Sequence, residues 1–166
     1  MQNDLKDIRE LSIGELETFI TANGEKKFRA AQIFEWIWKK GAEDFSQMKN
    51  ISLGLRELLE QNFCFRNVKC VYTISSSDRT HKFLFETHDS HRFEGVLIPS
   101  ADRVTACIST QIGCQMGCAF CATGQLGFKR NLSHGEIFHQ IFLLNSLSAE
   151  IFGTPLSNIV VMGMGE

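Results

Sequence analysis

Four of the six cysteines in this 166-residue chain fall within fifteen residues, Cys107-Ile-Ser-Thr-Gln-Ile-Gly-Cys114-Gln-Met-Gly-Cys118-Ala-Phe-Cys121, and no other stretch limits the fold as tightly. Cys114, Cys118 and Cys121 have the spacing C-x3-C-x2-C, close enough for one loop to wrap three sulfurs around a single inorganic centre. Iron–sulfur clusters are usually held by four cysteines, and structural zinc by four Cys or His ligands. Three thiolates therefore leave a fourth position for an outside ligand, which for iron can be a substrate or cofactor. Gly113 and Gly117 flank the triplet, with Gly124 and Gly127 just beyond. They let the backbone turn through positive φ and approach a bound centre closely.

Two other uses of these cysteines compete. Cys118-x2-Cys121-x12-His134-x4-His139 satisfies the spacing of a Cys2His2 zinc finger, the basis for an alternative reading as a non-catalytic zinc RNA-binding module. Its context is wrong: Ser133 followed by Glu136 predicts a capping box opening a helix. His134 and His139, five residues apart, then lie about 140° apart around that helix, and Cys107 and Cys114 go unused. A disulfide scaffold fits less well, because the chain opens Met-Gln-Asn-Asp-Leu-Lys-Asp, without the basic stretch and apolar core of a signal peptide. A reducing cytoplasm favours metal-binding or catalytic cysteines. Cys64 and Cys70 stand alone and read as buried small hydrophobes.

The 43% hydrophobic content suits a chain with a real core. No apolar run approaches the ~20 residues needed to span a bilayer, so the expectation is a soluble, cytoplasmic protein with no membrane contact. Residues 25–69 carry nine Lys/Arg against six Asp/Glu, whereas residues 1–24 carry two against five. The basic segment is either a phosphate-contacting face or a solvated helix surface.

Along the chain, residues 5–21 (Leu5, Ile8, Leu11, Leu16, Phe19, Ile20) and 28–40 (Phe28, Ala31, Ile33, Phe34, Ile37, Trp38) have the three- and four-residue apolar spacing of amphipathic helices. Gly41 is a stop, and a third helix follows from Ser52 through Leu55, Leu58, Leu59 and Phe63. Trp36 and Trp38 are assigned to core packing. Residues 68–75 and 82–98 change to a two-residue period and predict strands, separated by turn compositions at 75–78 and 88–90. Val104–Ser109 predicts a strand entering the cysteine loop. Ser133 to Phe152 predicts a helix with Ile137, Phe138, Ile141, Phe142 and Leu144 mostly inward, and Ile159-Val-Val-Met162 a buried parallel strand. Strand, loop, helix, strand is a βαβ unit. Ligands of such folds gather at the carboxyl ends of the strands, where the cysteine loop and Gly163-Met-Gly165-Glu166 both fall.

C-x3-C-x2-C with Phe120 before the last cysteine resembles the cluster motif of the radical S-adenosylmethionine (SAM) enzymes. The wider run is similar to the RlmN-type adenine-C2 RNA methyltransferases: Asp102-Arg103 through Cys107, Ser109-Thr-Gln-Ile-Gly-Cys114, Phe120-Cys-Ala-Thr-Gly124, Gly127-Phe-Lys-Arg-Asn-Leu132 and Val161-Met-Gly-Met-Gly-Glu166. The resemblance implies a 4Fe-4S cluster on Cys114, Cys118 and Cys121, with SAM chelating the fourth iron through its amino and carboxylate groups. It places Gly165 and Glu166 at the SAM amino group. Glu94 aligns with the family's proton acceptor, and the start of an apolar strand is a place where partial burial raises a carboxylate pKa. Cys107 aligns with the cysteine that resolves the enzyme–RNA adduct, a redox role with a disulfide bond as its product. In the implied reaction one SAM methylates a cysteine in the later part of the barrel. A second SAM yields a 5′-deoxyadenosyl radical that activates that methyl group for addition to C2 of an adenine.

The implied partners are 23S rRNA, tRNA and an electron donor such as flavodoxin, and the complete protein is expected to be a monomer. The target base must be unstacked, at a cost of a few kcal/mol. A sibling group that methylates C8, and a radical SAM enzyme acting on a substrate other than RNA, are the other readings. The expected fold is α/β: a helical accessory RNA-binding domain over residues 1–66, a β-rich extension over 67–100, and the start of a radical SAM (βα)6 partial barrel over 101–166. The barrel stops after its second strand, so the methyl-carrying cysteine lies outside the chain. The expectation is a fragment that can bind a cluster but cannot complete methylation.

Overall fold

In the computed structural model, which describes residues 5–165, the chain divides into two compact units, Met1–Arg66 and Asn67–Glu166. The first unit does not begin with the long helix that the spacing of residues 5–21 suggests. Ser12 Oγ accepts the Glu15 amide (3.2 Å) while the Glu15 carboxylate accepts the Ser12 amide (2.7 Å), a capping box that starts α1 at Ile13–Ala22. Upstream, β1 (Lys6–Asp7) pairs in parallel with β2 (Phe63–Cys64). The Asp7 carboxylate, 1% exposed, takes the Arg9 guanidinium and the Arg66 amide, so a buried charge is paired and hydrogen-bonded.

Helices α2 (Phe28–Trp38) and α3 (Leu53–Asn62) complete this unit. Gly41 ends α2 as its sequence suggests: its φ is +65°, and the following Ala42 amide returns to the Trp36 carbonyl at 2.9 Å. Leu16, Ile20, Ile33, Ile37, Met48, Leu55 and Leu59 form the core, each 2% exposed or less. Full burial of each such side chain stabilises by about 1.5–3 kcal/mol. Trp36 and Trp38 pack, half-buried, against that core.

The second unit is built on one five-stranded sheet. Its first four strands are β3 (Lys69–Ser75), β4 (His81–Glu86), β5 (Arg92–Ser100) and β6 (Arg103–Cys107), paired antiparallel. Off the sheet lie β7 (Gln111–Gly113), a short helix α4 (Ala122–Gln125) and β8 (Phe128–Asn131). Helix α5 (His134–Phe152) then leads to β9 (Asn158–Val160), which pairs with β6 in parallel, the predicted strand–loop–helix–strand unit. The resulting order is β3-β4-β5-β6-β9. Strands from residues 67–100 and 101–166 therefore share a single sheet.

Both outer strands depart from expectation. β3 is exposed along its whole length, so Cys70 is exposed rather than buried; Cys64 is half-buried, its thiol donating to the Leu5 carbonyl. β9 is an edge strand bonded only to β6, which leaves Ile159 42% exposed where a buried strand was expected. Phe83, Phe85, Phe93, Leu97, Val104, Ala106 and Leu144 form the core between sheet and α5. No helix among the described residues is long and apolar enough to cross a membrane.

Candidate cofactor site

The carboxyl ends of β6 and β9 lie side by side, and the ladder between them continues past both strands. The Ile108 amide donates to the Val160 carbonyl (2.9 Å) and the Gly163 amide to the Ile108 carbonyl (2.9 Å). The Thr110 and Gln111 amides then both donate to the Met164 carbonyl, at 2.9 and 3.1 Å. The approach leaves no room for a side chain at either glycine of the returning segment. A Cβ on Gly163 would sit 2.6 Å from both the Ile108 carbonyl oxygen and Ser109 Oγ. Gly165 has φ +124°, and its Cβ would lie 2.5 Å from Thr110 Oγ1. The Gly163–Gly165 turn is thus laid against the start of the cysteine loop. Glu166, expected to bind the SAM ammonium, lies outside the described residues.

The cysteine loop is closed at its base by β7 pairing with β8. Gly113 (φ +73°) crosses so tightly over Gly127 that a Cβ there would fall 1.7 Å from the Gly127 carbonyl oxygen. Cys114 and Cys121 are half-buried and Cys118 is exposed. The Cys121 amide donates to the Cys118 carbonyl (3.0 Å). Backbone hydrogen bonds from Gly124 and Thr123 hold the Cys121 thiol below its ordinary pKa, toward the thiolate that binds metal. The three sulfurs are not all within 4.8 Å of one another; among the described residues the one such group of possible ligands is His88, Asp89 and Glu136. Phe120 (93% exposed) and Met116 (58%) project from the loop. Three thiols on one loop, beside a turn with glycine at both ends, are a donor set suited to a thiophilic metal centre that keeps room for a further ligand.

Glu94 and Cys107 lie on adjoining strands. In the register of β5 and β6, Val96 stands opposite Cys107, so Glu94 and Cys107 share the sheet face opposite to that of Phe93, Gly95 and Leu97. The Glu94 carboxylate is 39% exposed and 3.3 Å from the Lys82 ammonium, a partner that the sequence did not suggest. Burial pushes the Cys107 thiol above its ordinary pKa, with the Met162 backbone partly offsetting the shift. All six cysteines are free, and no disulfide joins Cys107 to another.

The burial and partners of several residues around the site escaped sequence reasoning because they are polar side chains on the buried stripe of an apolar helix. Glu136, His139 and Gln140 of α5 are 3% exposed or less. The Glu136 carboxylate closes the predicted capping box on Ser133 and also accepts from Nη1 and Nη2 of Arg130, which holds Asp89 through Nε and the shared Nη2. The His88, Asp89 and Glu136 group is thus already served by the Arg130 cation. His139, a candidate ligand in the zinc-finger reading, is buried and its Nδ1 accepts the Val68 amide at 3.1 Å. Gln140 bonds both backbone groups of Ser109. The only hint in the sequence was spacing, since positions 136, 139 and 140 repeat at three and four residues.

The family model described as the ribosomal RNA large subunit methyltransferase N-terminal domain matches residues 6–65. The probable dual-specificity RNA methyltransferase RlmN of Cytophaga hutchinsonii is 51% identical over 161 residues, covering 97% of this chain and 44% of that protein. The dual-specificity RNA methyltransferase RlmN of Syntrophus aciditrophicus is 43% identical over 160 residues, 96% of this chain and 45% of that protein. Among solved structures, a radical SAM methyltransferase from Sphaerobacter thermophilus superposes with a TM-score of 0.82 at 38% identity, covering 97% of this chain and 47% of that one. The chain spans just under half the length of these relatives. Similar along nearly all of its own length to proteins so named, and folded like a radical SAM methyltransferase, it belongs to the RlmN family.

Proposed function

We propose that this chain forms the cluster- and SAM-binding part of a radical SAM methyltransferase that modifies C2 of an adenosine in 23S rRNA and of the adenosine 3′ of the anticodon in tRNA. The observation that carries this reading is the juxtaposition at the ends of β6 and β9, where the start of a three-thiol loop and a Gly-Met-Gly turn with no room for a Cβ at either glycine are hydrogen-bonded together. Ligands of parallel α/β units bind at that end of the strands. Cys114, Cys118 and Cys121 hold a 4Fe-4S cluster, whose chemistry when bound is the one-electron cleavage of SAM. Gly165 keeps side-chain bulk away from the SAM amino group, and Glu166 accepts hydrogen bonds from it. Glu94, exposed on the sheet face that Cys107 shares, receives the proton lost from adenine C2. Cys107 loses its proton and attacks the sulfur of the cysteine that carries the RNA adduct; the S–S bond forms as that sulfur's bond to the adduct carbon breaks, and the carbon takes the electron pair and a proton to leave as the methyl group on RNA. The first unit, residues 1–66, contributes RNA contacts; residues 67–100 are the β-rich extension and 101–166 open the barrel. The protein works in the cytoplasm as a monomer, reduced by a donor such as flavodoxin.

Anaerobic loading of the chain with iron and sulfide tests this reading. The expected result is about four irons per chain, as a 4Fe-4S cluster requires, and, after reduction with dithionite, an electron paramagnetic resonance signal that shifts on adding SAM. Tight zinc binding without iron uptake, or a cluster signal indifferent to SAM, overturns it.

A further inference from the structure

Ser109 is fully buried, and its hydroxyl is used twice: it donates to the Glu94 carbonyl at 2.5 Å and accepts the Met164 amide at 2.8 Å. Its backbone is held separately, its amide donating to Gln140 Oε1 (2.9 Å) and its carbonyl accepting from Gln140 Nε2 (3.0 Å). Buried serines commonly satisfy themselves on backbone a few residues away. The two partners of this hydroxyl are 15 and 55 residues distant in the chain. One oxygen therefore ties three segments: β5 at Glu94, the chain leaving β6 toward the cysteines, and the Gly163–Gly165 turn. The turn sits directly on it, since even a methyl on Gly163 would come within 2.6 Å of Ser109 Oγ.

We infer that Ser109 is a positioning residue for cofactor binding, its hydroxyl setting where the Gly163-Met164-Gly165 turn lies relative to the cysteine loop and to the strand carrying Glu94. This rests on the SAM site proposed above. Removing the hydroxyl takes the acceptor from the Met164 amide while leaving the Gly163 amide and the Met164 carbonyl in their ladder. The turn stays attached but loses the contact that holds its middle residue. Met164 is the residue between the two glycines, so its displacement moves Gly165.

The test compares the 166-residue chain with its Ser109→Ala variant in two measurements. The first is a SAM titration of the anaerobically iron–sulfide-loaded and dithionite-reduced protein, read from the change in its paramagnetic spectrum. The second is residue-resolved amide exchange of the cluster-free protein. Ser109→Ala is expected to take up the same iron, to bind SAM about tenfold more weakly, and to exchange the Met164 amide about tenfold faster, as loss of one buried hydrogen bond implies. Amides of α5 and β4 should be unchanged. Gly163→Ala, which pushes the turn off an intact Ser109, is expected to weaken SAM binding in the same way. Unchanged SAM affinity together with an unchanged Met164 amide overturns the proposal. So does faster exchange spread evenly over the sheet and α5, the result for a serine that only stabilises the fold. If the wild-type chain does not respond to SAM, the cofactor reading fails, and the exchange at Met164 still decides whether Ser109 holds the turn.

Discussion

Glu94 and Cys107 share one face of two neighbouring antiparallel strands, Cys107 opposite Val96 and Glu94 two residues along from it, on the side of the sheet that the core of α5 does not cover. The two groups assigned to the end of the reaction are thus fixed on rigid strands. The cysteines assigned to its start lie on a loop.

Cys107 is expected to be a reluctant nucleophile in the isolated chain. Burial raises its pKa, so its thiol stays protonated at neutral pH and becomes reactive only as pH climbs past the ordinary thiol range of about 8.5. Mass-spectrometric alkylation of the cluster-free protein across roughly pH 6–10 checks this on the scale of the reference thiol. Cys107 should label later in the series than exposed Cys70. Labelling of Cys107 as early as Cys70 would contradict the burial seen here.

Much of this architecture was legible because short-range signals agreed with the fold. The capping box at Ser133 and Glu136, the stop at Gly41 and the alternation of Phe83 and Phe85 all have local causes. The start of α1 was misread because the apolar spacing of Leu5, Ile8 and Leu11 outweighed the Ser12–Glu15 cap. Cys70 and Ile159 were misplaced because periodicity identifies a strand but not whether it is central or at an edge, which depends on pairings with distant segments. For the site, the cysteine triplet and Gly-Met-Gly stand out in the sequence because glycine and cysteine have few other reasons to cluster. Ser109 and Gln140 do not stand out, since their partners lie 15 to 55 residues away.

The three loop cysteines should be separable from the other three by metal content. Cys114→Ala, Cys118→Ala and Cys121→Ala each remove a thiolate from a set that has no protein substitute, and are expected to abolish stable iron and sulfide uptake. Cys64→Ala, Cys70→Ala and Cys107→Ala should load normally. Iron and sulfide analysis with visible absorption decides it, and retention of a full cluster by any of the first three variants would remove that residue from the ligand set.

Arg130 joins the strand after the cysteine loop to the start of α5 and to the turn before β5, through Glu136 (2.7 Å) and Asp89 (2.8 Å). The Glu136 side chain is only 2% exposed, so Arg130→Met strands a buried carboxylate and should cost about 3 kcal/mol or more. Asp89 adds a pH dependence. Arg130 holds its carboxyl well below the usual carboxylate range. A depressed folded-state pKa gives stability that is present above the unfolded value of about 3.9 and lost as pH falls through the folded one. The difference in denaturation midpoint between wild type and Asp89→Asn should accordingly be largest near neutrality and shrink in acid. A difference that instead grows as pH falls below about 4 would contradict this arrangement.

Gln140→Leu probes the buried polar stripe of α5 apart from any cofactor. Gln140 is fully buried and its amide serves both backbone groups of Ser109, much as a neighbouring strand would. Leucine has similar bulk but leaves one donor and one acceptor without partners at the point where β6 gives way to the cysteine loop. At roughly 1–3 kcal/mol for each buried group left unsatisfied, the substitution should destabilise the second unit by about 2–6 kcal/mol. Gln140→Glu is the informative contrast, because it keeps an acceptor for the Ser109 amide but gives up the donor to its carbonyl. At neutral pH it should therefore be damaging too, and it should recover as acid protonates the new carboxyl and restores a donor. Denaturant unfolding of both variants at neutral and acid pH reads the outcome. If Gln140→Leu were as stable as wild type, the paired hydrogen bonds on Ser109 would have no part in holding the end of β6.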